Sequence, residues 1–279
     1  MGDSISNHIR KVREISAPPE QFAQLLQMIG DDHSDLTDLV ALLELHPFIT
    51  ARLLQCANSA YFRQAGEIDN VRDAVIRVLG LSLTRSLTLA FLVSDSFNLN
   101  KVSNFDGHRH WFIALVTATM AREMAPRLKN PLDQAPALYS AGMLHNIGVA
   151  ALAHCFPEQM NQALMTDTVS LSEKTRRLFH LDHYQAGALL IRSWNLPKTI
   201  VEPILHLRNP NIHGPSGSAV QLIRLCSTLA NLLYKKEFHS LRNYSVHPSF
   251  MSRISFEESI FFIEGQCRTL DEISQMMSR

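Results

Sequence analysis

Apolar side chains recur every third or fourth residue along nearly the whole chain, and segments that alternate apolar with polar residues are almost absent. This periodicity constrains the fold more than any other feature, because a strand with such a pattern could not gather its apolar residues on one buried face. In SDLTDLVALLELHP (34–47) a capping side chain, Ser34 or Asp35, precedes Leu36, Leu39, Val40 and Leu43 on one helical face. Pro47 marks the turn into FITARLLQCANSAYF. DNVRDAVIRVLG is expected to start at Asp69 or Asn70 and to end at Gly80, which can take a left-handed cap, with the helix SLTRSLTLAFLVSDSF directly after it. The expected fold class is all-α.

The polar stretch 98–108, NLNKVSNFDGH, is the best candidate for a subdomain linker. Helical patterns resume in HWFIALVTATMAREMA, in QAPALYSAGMLHNIGVAALAHCF and, after a polar loop near 166–172, in DHYQAGALLIRSW. There Asp182 and Gln185 have the spacing of a capping box. Pro197, in WNLP, suits the first turn of the following helix. A loop at 209–217 precedes SAVQLIRLCSTLANLLYKK, and FEESIFFIEGQC and LDEISQMMS promise one or two further helices.

Lys+Arg and Asp+Glu both number 26, so no net field recruits nucleic acid or an anionic membrane. No apolar run reaches the roughly 18 residues that span a bilayer. MGDSISNHIRKVREIS lacks the apolar core of a signal peptide. The four cysteines, Cys56, Cys155, Cys226 and Cys267, are far apart and read as buried thiols in a reducing cytoplasm. There is no Gly-rich phosphate loop, no basic recognition helix, and no local motif for a Ser-His-Asp or Cys-His set.

PPEQFAQLLQMI, LHPFITARLLQCANSAYF, EIDNVRDAVIRVLG, WFIALVTATMA, GMLHNIG and DHYQAGALLIRSWNLPKTI, in this order and spacing, resemble the HDOD family over about residues 14–235. This is a bacterial signalling module related to HD-domain metal-dependent phosphohydrolases. The resemblance implies an N-terminal helical subdomain (1–105) packed on a degenerate HD-like helical bundle (106–235), with 236–279 as a C-terminal helical extension.

HD enzymes hold metal with an early histidine, a His-Asp pair and a late aspartate, because water activation needs imidazole and anionic ligands around an open position. By resemblance, the early histidine falls at Ile113, the pair at His145 and Asn146, and the late aspartate at about Ser227. Isoleucine cannot coordinate, and the Asn146 amide cannot neutralise a cation. The expected site is therefore a degenerate one around His145 and Asn146, with Asp182, His183 and His206 as possible neighbours, and no catalytic, cofactor or metal residues. His145 is then a buried imidazole bonded to Asn146, Asp182, His183 or a backbone carbonyl.

Other residues carry weaker signals. His180 and His183 would share a face on one helix, but Asp182 between them reads as a cap. His108 and His110 are expected in a solvated loop, and His206 precedes Leu207 where the family often has a second histidine. Tyr61, Phe62, Trp111 and Trp194 read as core before they read as a ligand box. Asn58 reads as a joint between N-terminal helices.

The resemblance implies a non-catalytic bacterial regulatory module that binds signalling proteins in trans, with a nucleotide or another small ligand as a further partner class. Neither nucleic acid nor membrane is expected. A residual metal-dependent phosphohydrolase is the alternative, and a nucleotide sensor without turnover a third reading, disfavoured by the scarcity of cationic residues near 140–150.

Overall fold

The computed structural model describes residues 7–12, 35–59, 68–95, 97–132, 135–165, 168–209, 212 and 216–278. PPEQFAQLLQMI, Ser34, Tyr61 and Phe62 lie outside these. The described residues are overwhelmingly helical and contain no strand; one isolated bridge joins Leu128 to Met251. The fold is all-α. No single helix among them is long and apolar enough to cross a membrane.

Helices α1 (Leu36–Glu44) and α2 (Pro47–Ala57) form the first hairpin. Asp35 caps α1 by accepting from the Thr37 amide at 3.0 Å, and Leu39, Val40 and Leu43 are buried, as the spacing predicts. Asn58 closes α2 and does more than end it. Its Nδ2 donates to the Leu54 and Ile68 carbonyls at 3.0 and 2.6 Å, and its Oδ1 accepts from the Ile68 amide at 2.9 Å. One side chain thus ties the end of α2 to the start of the next element, the joint expected of it.

The next segment begins at Asn70, whose side chain accepts from the Asp73 amide. It departs from the expected α-helix. Ala74–Leu79 winds as a π-helix, and the Gly80 amide donates to Val75 O, five residues back. Gly80 has the positive φ that the sequence suggests (72°), but ψ is 162°, an extended mirror conformation that only glycine adopts readily. The chain then turns directly into α3 (Gly80–Asp95).

Helix α4 (Gly107–Met124) is the axis of the bundle, buried without interruption from His110 to Ala121. A helix apolar on all sides must be surrounded. Helices α5 (Ala135–Leu144), α11 (Gly217–Tyr234) and α13 (Arg253–Met277) pack along it. Behind them, α6 (Ile147–Cys155) packs on α9 (His183–Ser193), with α7 (Pro157–Leu164) and α8 (Leu171–Phe179) alongside and α10 (Lys198–Leu205) between α9 and α5. The short α12 (Phe238–Arg242) follows α11. Residues 7–12 are helical and sit on the bundle, where His8 meets Phe156 and Phe179 edge-on.

The polar stretch 98–108 is no free tether. Asn161 of α7 takes the Asn104 amide at 3.1 Å and the Ser103 hydroxyl at 3.3 Å, while His154 Nδ1 accepts from the Asn98 amide at 2.9 Å. Its last residues already belong to α4, because the Asp106 side chain accepts from the Arg109 amide and starts the helix at Gly107. His108 and His110 therefore lie on a helix and not in a solvated loop. His108 bonds Asp271 of α13 at 2.8 Å, and His110 is buried.

Candidate functional site

His145 and Asn146 form the two-residue turn between α5 and α6. Two glycines hold this turn in place. A Cβ on Gly142 would lie 2.7 Å from Ala118 Cα, so α5 crosses α4 there at backbone contact. A Cβ on Gly148 would overlap the His183 carbonyl oxygen and stand 2.5 Å from the Gly187 nitrogen, so α6 crosses α9 equally closely. The motif GMLHNIG is a corner wedged against two helices.

The wedge buries His145, whose side chain is fully bonded. Nδ1 lies 2.6 Å from the Gly142 carbonyl and Nε2 lies 3.0 Å from Ser227 Oγ on α11. A carbonyl can only accept, so Nδ1 carries the proton, and Nε2 of the neutral ring accepts from the serine hydroxyl. Burial pushes the His145 pKa down to about 4, against the opposing pull of the Gly142 bond. The backbone carbonyl was among the expected partners of His145; Ser227 was not. Yet the resemblance puts the late aspartate of HD enzymes at about Ser227, and the structure brings His145 and Ser227 together.

Two further imidazoles share this interior. His110 on α4 has its pKa pushed down to about 3, first by burial, then by repulsion from His145, with Asp106 opposing. His183, the first residue of α9, is pushed down to about 3 by burial and then by His145 and His110. Its backbone amide donates to Thr175 Oγ1 at 3.1 Å, while its buried Nδ1 has no partner among the described residues. His110 is the member that sequence reasoning missed. The available signal was its position one helical turn before Ile113, on the same face.

The remaining expected neighbours divide. Asp182 is buried at the start of α9 and completes the capping box: its Oδ1 accepts from the Gln185 amide at 2.9 Å and its own amide donates to Gln185 Oε1 at 3.0 Å. Burial raises its pKa, while the Gln185 and Tyr184 amides and Arg176 draw it down. His183 joins the buried histidines, but His206 stays half-exposed at the end of α10, with Nε2 3.4 Å from Glu202. His180 takes a left-handed conformation (φ 60°) as the cap of α8, so it shares no helix with His183. Ile113 is buried on α4 and offers no donor. Asn146 makes no side-chain capping bond at the start of α6.

Among the described residues, no three His, Cys, Asp or Glu side chains converge in a way that could hold a metal ion. The atom through which His145 would ligate, Nε2, already accepts the Ser227 hydroxyl. One committed imidazole, one neutral amide, an isoleucine and a serine do not fit a divalent cation that activates water.

A separate cleft of about 530 Å³ opens where α2, α3, the 97–105 loop, α4, α6 and the end of α13 meet, lined among others by Arg52, Ser94, Phe105, Trp111 and His154. The Arg52 guanidinium stacks 4.3 Å from the Phe48 centroid and donates to Ser94 Oγ at 3.2 Å. Of the aromatics weighed from sequence, Trp111 lines this cleft, while Trp194 is buried at the end of α9.

Comparison with known proteins agrees with this all-α fold. A curated relative, an uncharacterized protein of Treponema pallidum (strain Nichols), is 26% identical over 203 residues, and the match covers 70% of the present chain but only 37% of that relative. Among solved structures, a candidate signal transduction protein of Marinobacter aquaeolei VT8 superposes with a TM-score of 0.80 at 21% identity, covering 99% of this chain and 65% of that one. A candidate phosphohydrolase of Shewanella amazonensis SB2B gives 0.76 at 22% identity, covering 97% of both chains. An HDOD domain protein of Geobacter sulfurreducens gives 0.72 at 19% identity, covering 95% and 99%. At such identities the likeness to these structures is one of fold. The HDOD sequence profile, however, matches residues 15–210 directly, and that span runs from before α1 through the whole of the GMLHNIG corner to the end of α10; the chain belongs to the HDOD family.

Proposed function

We propose that the protein is a bacterial signal-transduction module that acts in the cytoplasm by binding a signalling protein in trans, without metal-dependent hydrolysis. The bond between His145 Nε2 and Ser227 Oγ carries this reading. It occupies the atom a metal would use, at the two positions where an HD enzyme keeps ligands. The 530 Å³ cleft at the junction of the N-terminal helices and the bundle supplies a surface for a partner.

Metal analysis of the purified protein, paired with phosphohydrolase assays in added manganese or iron, tests the negative half. Sub-stoichiometric metal that His145→Ala does not change supports the reading. Near-stoichiometric metal, lost together with hydrolysis in His145→Ala, overturns it in favour of a residual phosphohydrolase. Affinity capture from the native cell, repeated with Arg52→Glu, tests the positive half; a partner retained equally by both proteins excludes the cleft as its seat. The donors and aromatic wall that Arg52, His154 and Trp111 bring to the cleft also favour a small anionic ligand with a flat ring as a second reading. Calorimetry with common nucleotides and cyclic dinucleotides distinguishes it, through saturable binding without turnover.

A further inference from the structure

Helix α13 runs 25 residues, lies beyond the span that matches the family profile, and buries one side against α4. Its outward side is unusual for a surface helix. Ile254 is 70% exposed and Phe261, seven residues on, is 79% exposed. Gly265 follows one turn after Phe261, and no atom of the described residues stands within 4 Å of where its Cβ would be. Glycine weakens a helix interior, and none of the described residues approaches closely enough to require one there. At 100° per residue, Ile254, Phe261, Gly265 and Arg268 fall within one narrow sector, with Glu257 on the same flank as Arg268. Two ion pairs frame the stripe: Arg242 with Glu264 at 3.4 Å on one side, Arg127 with Glu258 at 2.8 Å on the other. Beside Phe261 a groove of about 380 Å³ is lined by Phe256, Ile260 and Arg242.

We infer that this face is the interface of a homodimer in which α13 pairs antiparallel with α13 of a second copy. A two-fold axis passing near residues 262–263 brings Phe261 of each copy over the gap at the partner's Gly265. It also sets the Arg268–Glu272 pair of each copy (3.5 Å) opposite the partner's Arg253–Glu257 pair (2.6 Å) with the charges alternating, Arg268 facing the partner's Glu257. The surface is thereby complementary to itself, as an isologous contact requires. A parallel pairing in register would put Arg268 beside Arg268 and Glu257 beside Glu257, so charge selects the antiparallel arrangement. The glycine that the single chain leaves without a reason becomes the socket for an otherwise solvent-facing phenylalanine. This inference is independent of the signalling reading.

Sedimentation of the full chain over a range of concentrations tests it. A monomer–dimer equilibrium is expected. Phe261→Glu should raise the dimer Kd by about 100-fold or more. Gly265→Leu, which fills the socket, should also remove the dimer, with a melting temperature equal to or above that of a Phe261→Glu monomer. Glu257→Arg and Arg268→Glu should each weaken the dimer about 10-fold, and the double charge swap should restore it. A wild-type chain that stays monomeric throughout, even if another protein docks on α13, overturns the inference. So does a dimer indifferent to Phe261→Glu, and failure of the double swap to restore affinity overturns the antiparallel pairing.

Discussion

Gly148 and Gly265 both lie within helices, and the difference between them separates what this chain does for itself from what it offers outward. A side chain at Gly148 has no room, because the His183 carbonyl and the Gly187 backbone of α9 occupy its place. A side chain at Gly265 would meet none of the described residues. The first glycine is explained entirely by internal packing, and through it the corner carrying His145 is held against α9. The second has no internal explanation, and it lies one turn from the most exposed large apolar residue among those described. The polar centre has closed on itself, with imidazoles bonded or buried and neutral, whereas the outer face of α13 remains open. In this molecule the polar centre is inward, with His145 satisfied and His183 Nδ1 left without a partner among the described residues; the open apolar surface is elsewhere.

The largest effect that would break this contrast is at the corner. Gly148→Ala forces α6 and α9 apart and should cost about 4 kcal/mol or more, read as loss of the cooperative thermal transition or of soluble protein. A variant melting normally would show that the crossing is looser than it looks.

Acid comes next. His110, His145 and His183 have folded pKa values near 3, 4 and 3, against an ordinary 6.5. Below pH 6.5 the unfolded chain therefore binds more protons than the folded one. Their contribution is complete near neutral pH and is lost as pH falls from 6.5 toward 4 for His145 and toward 3 for His110 and His183, by up to about 2 kcal/mol per histidine at pH 5. Urea unfolding at pH 7 and pH 5 measures this, and His183→Leu should remove about one-third of the slope. A slope that His183→Leu leaves untouched would take that residue out of the cluster.

Ser227→Ala removes the hydroxyl from His145 Nε2 and leaves a buried acceptor without a partner, at a cost of about 1–3 kcal/mol. Denaturant midpoints check this; an unchanged midpoint would mean the bond holds nothing in place. The smallest effect has the opposite sign. In a Phe261→Glu background, which isolates the monomer, Gly265→Ala should stabilise by about 1 kcal/mol. Alanine would then help at 265 and ruin the fold at 148, a reversal that composition alone could not foresee.

Much of the architecture is readable in the one-dimensional string because its signals are local. Asp35, Asn70 and the Asp182–Gln185 pair act within three residues of themselves, and all cap the helices assigned to them. The joint at Asn58 is similarly close, reaching Ile68 ten residues away. The π-winding of Ala74–Leu79 was not readable, since it shares its apolar pattern with an α-helix. Nor was the burial of His110: its polar neighbours suggest a loop, and only the Asp106 cap and the helices around α4 take it out of water.

Helical periodicity, the helix caps and the order of the family motifs are carried by short stretches of neighbouring residues, so they could be read before any folding was considered. The hydroxyl that occupies His145, the clustering of three imidazoles, and the contrast between a filled and an empty glycine depend on residues up to 82 positions apart, as in the bond from His145 to Ser227. Burial and hydrogen-bond partnership are set by which helices cross, and no periodicity along one helix specifies the residue that faces it from another.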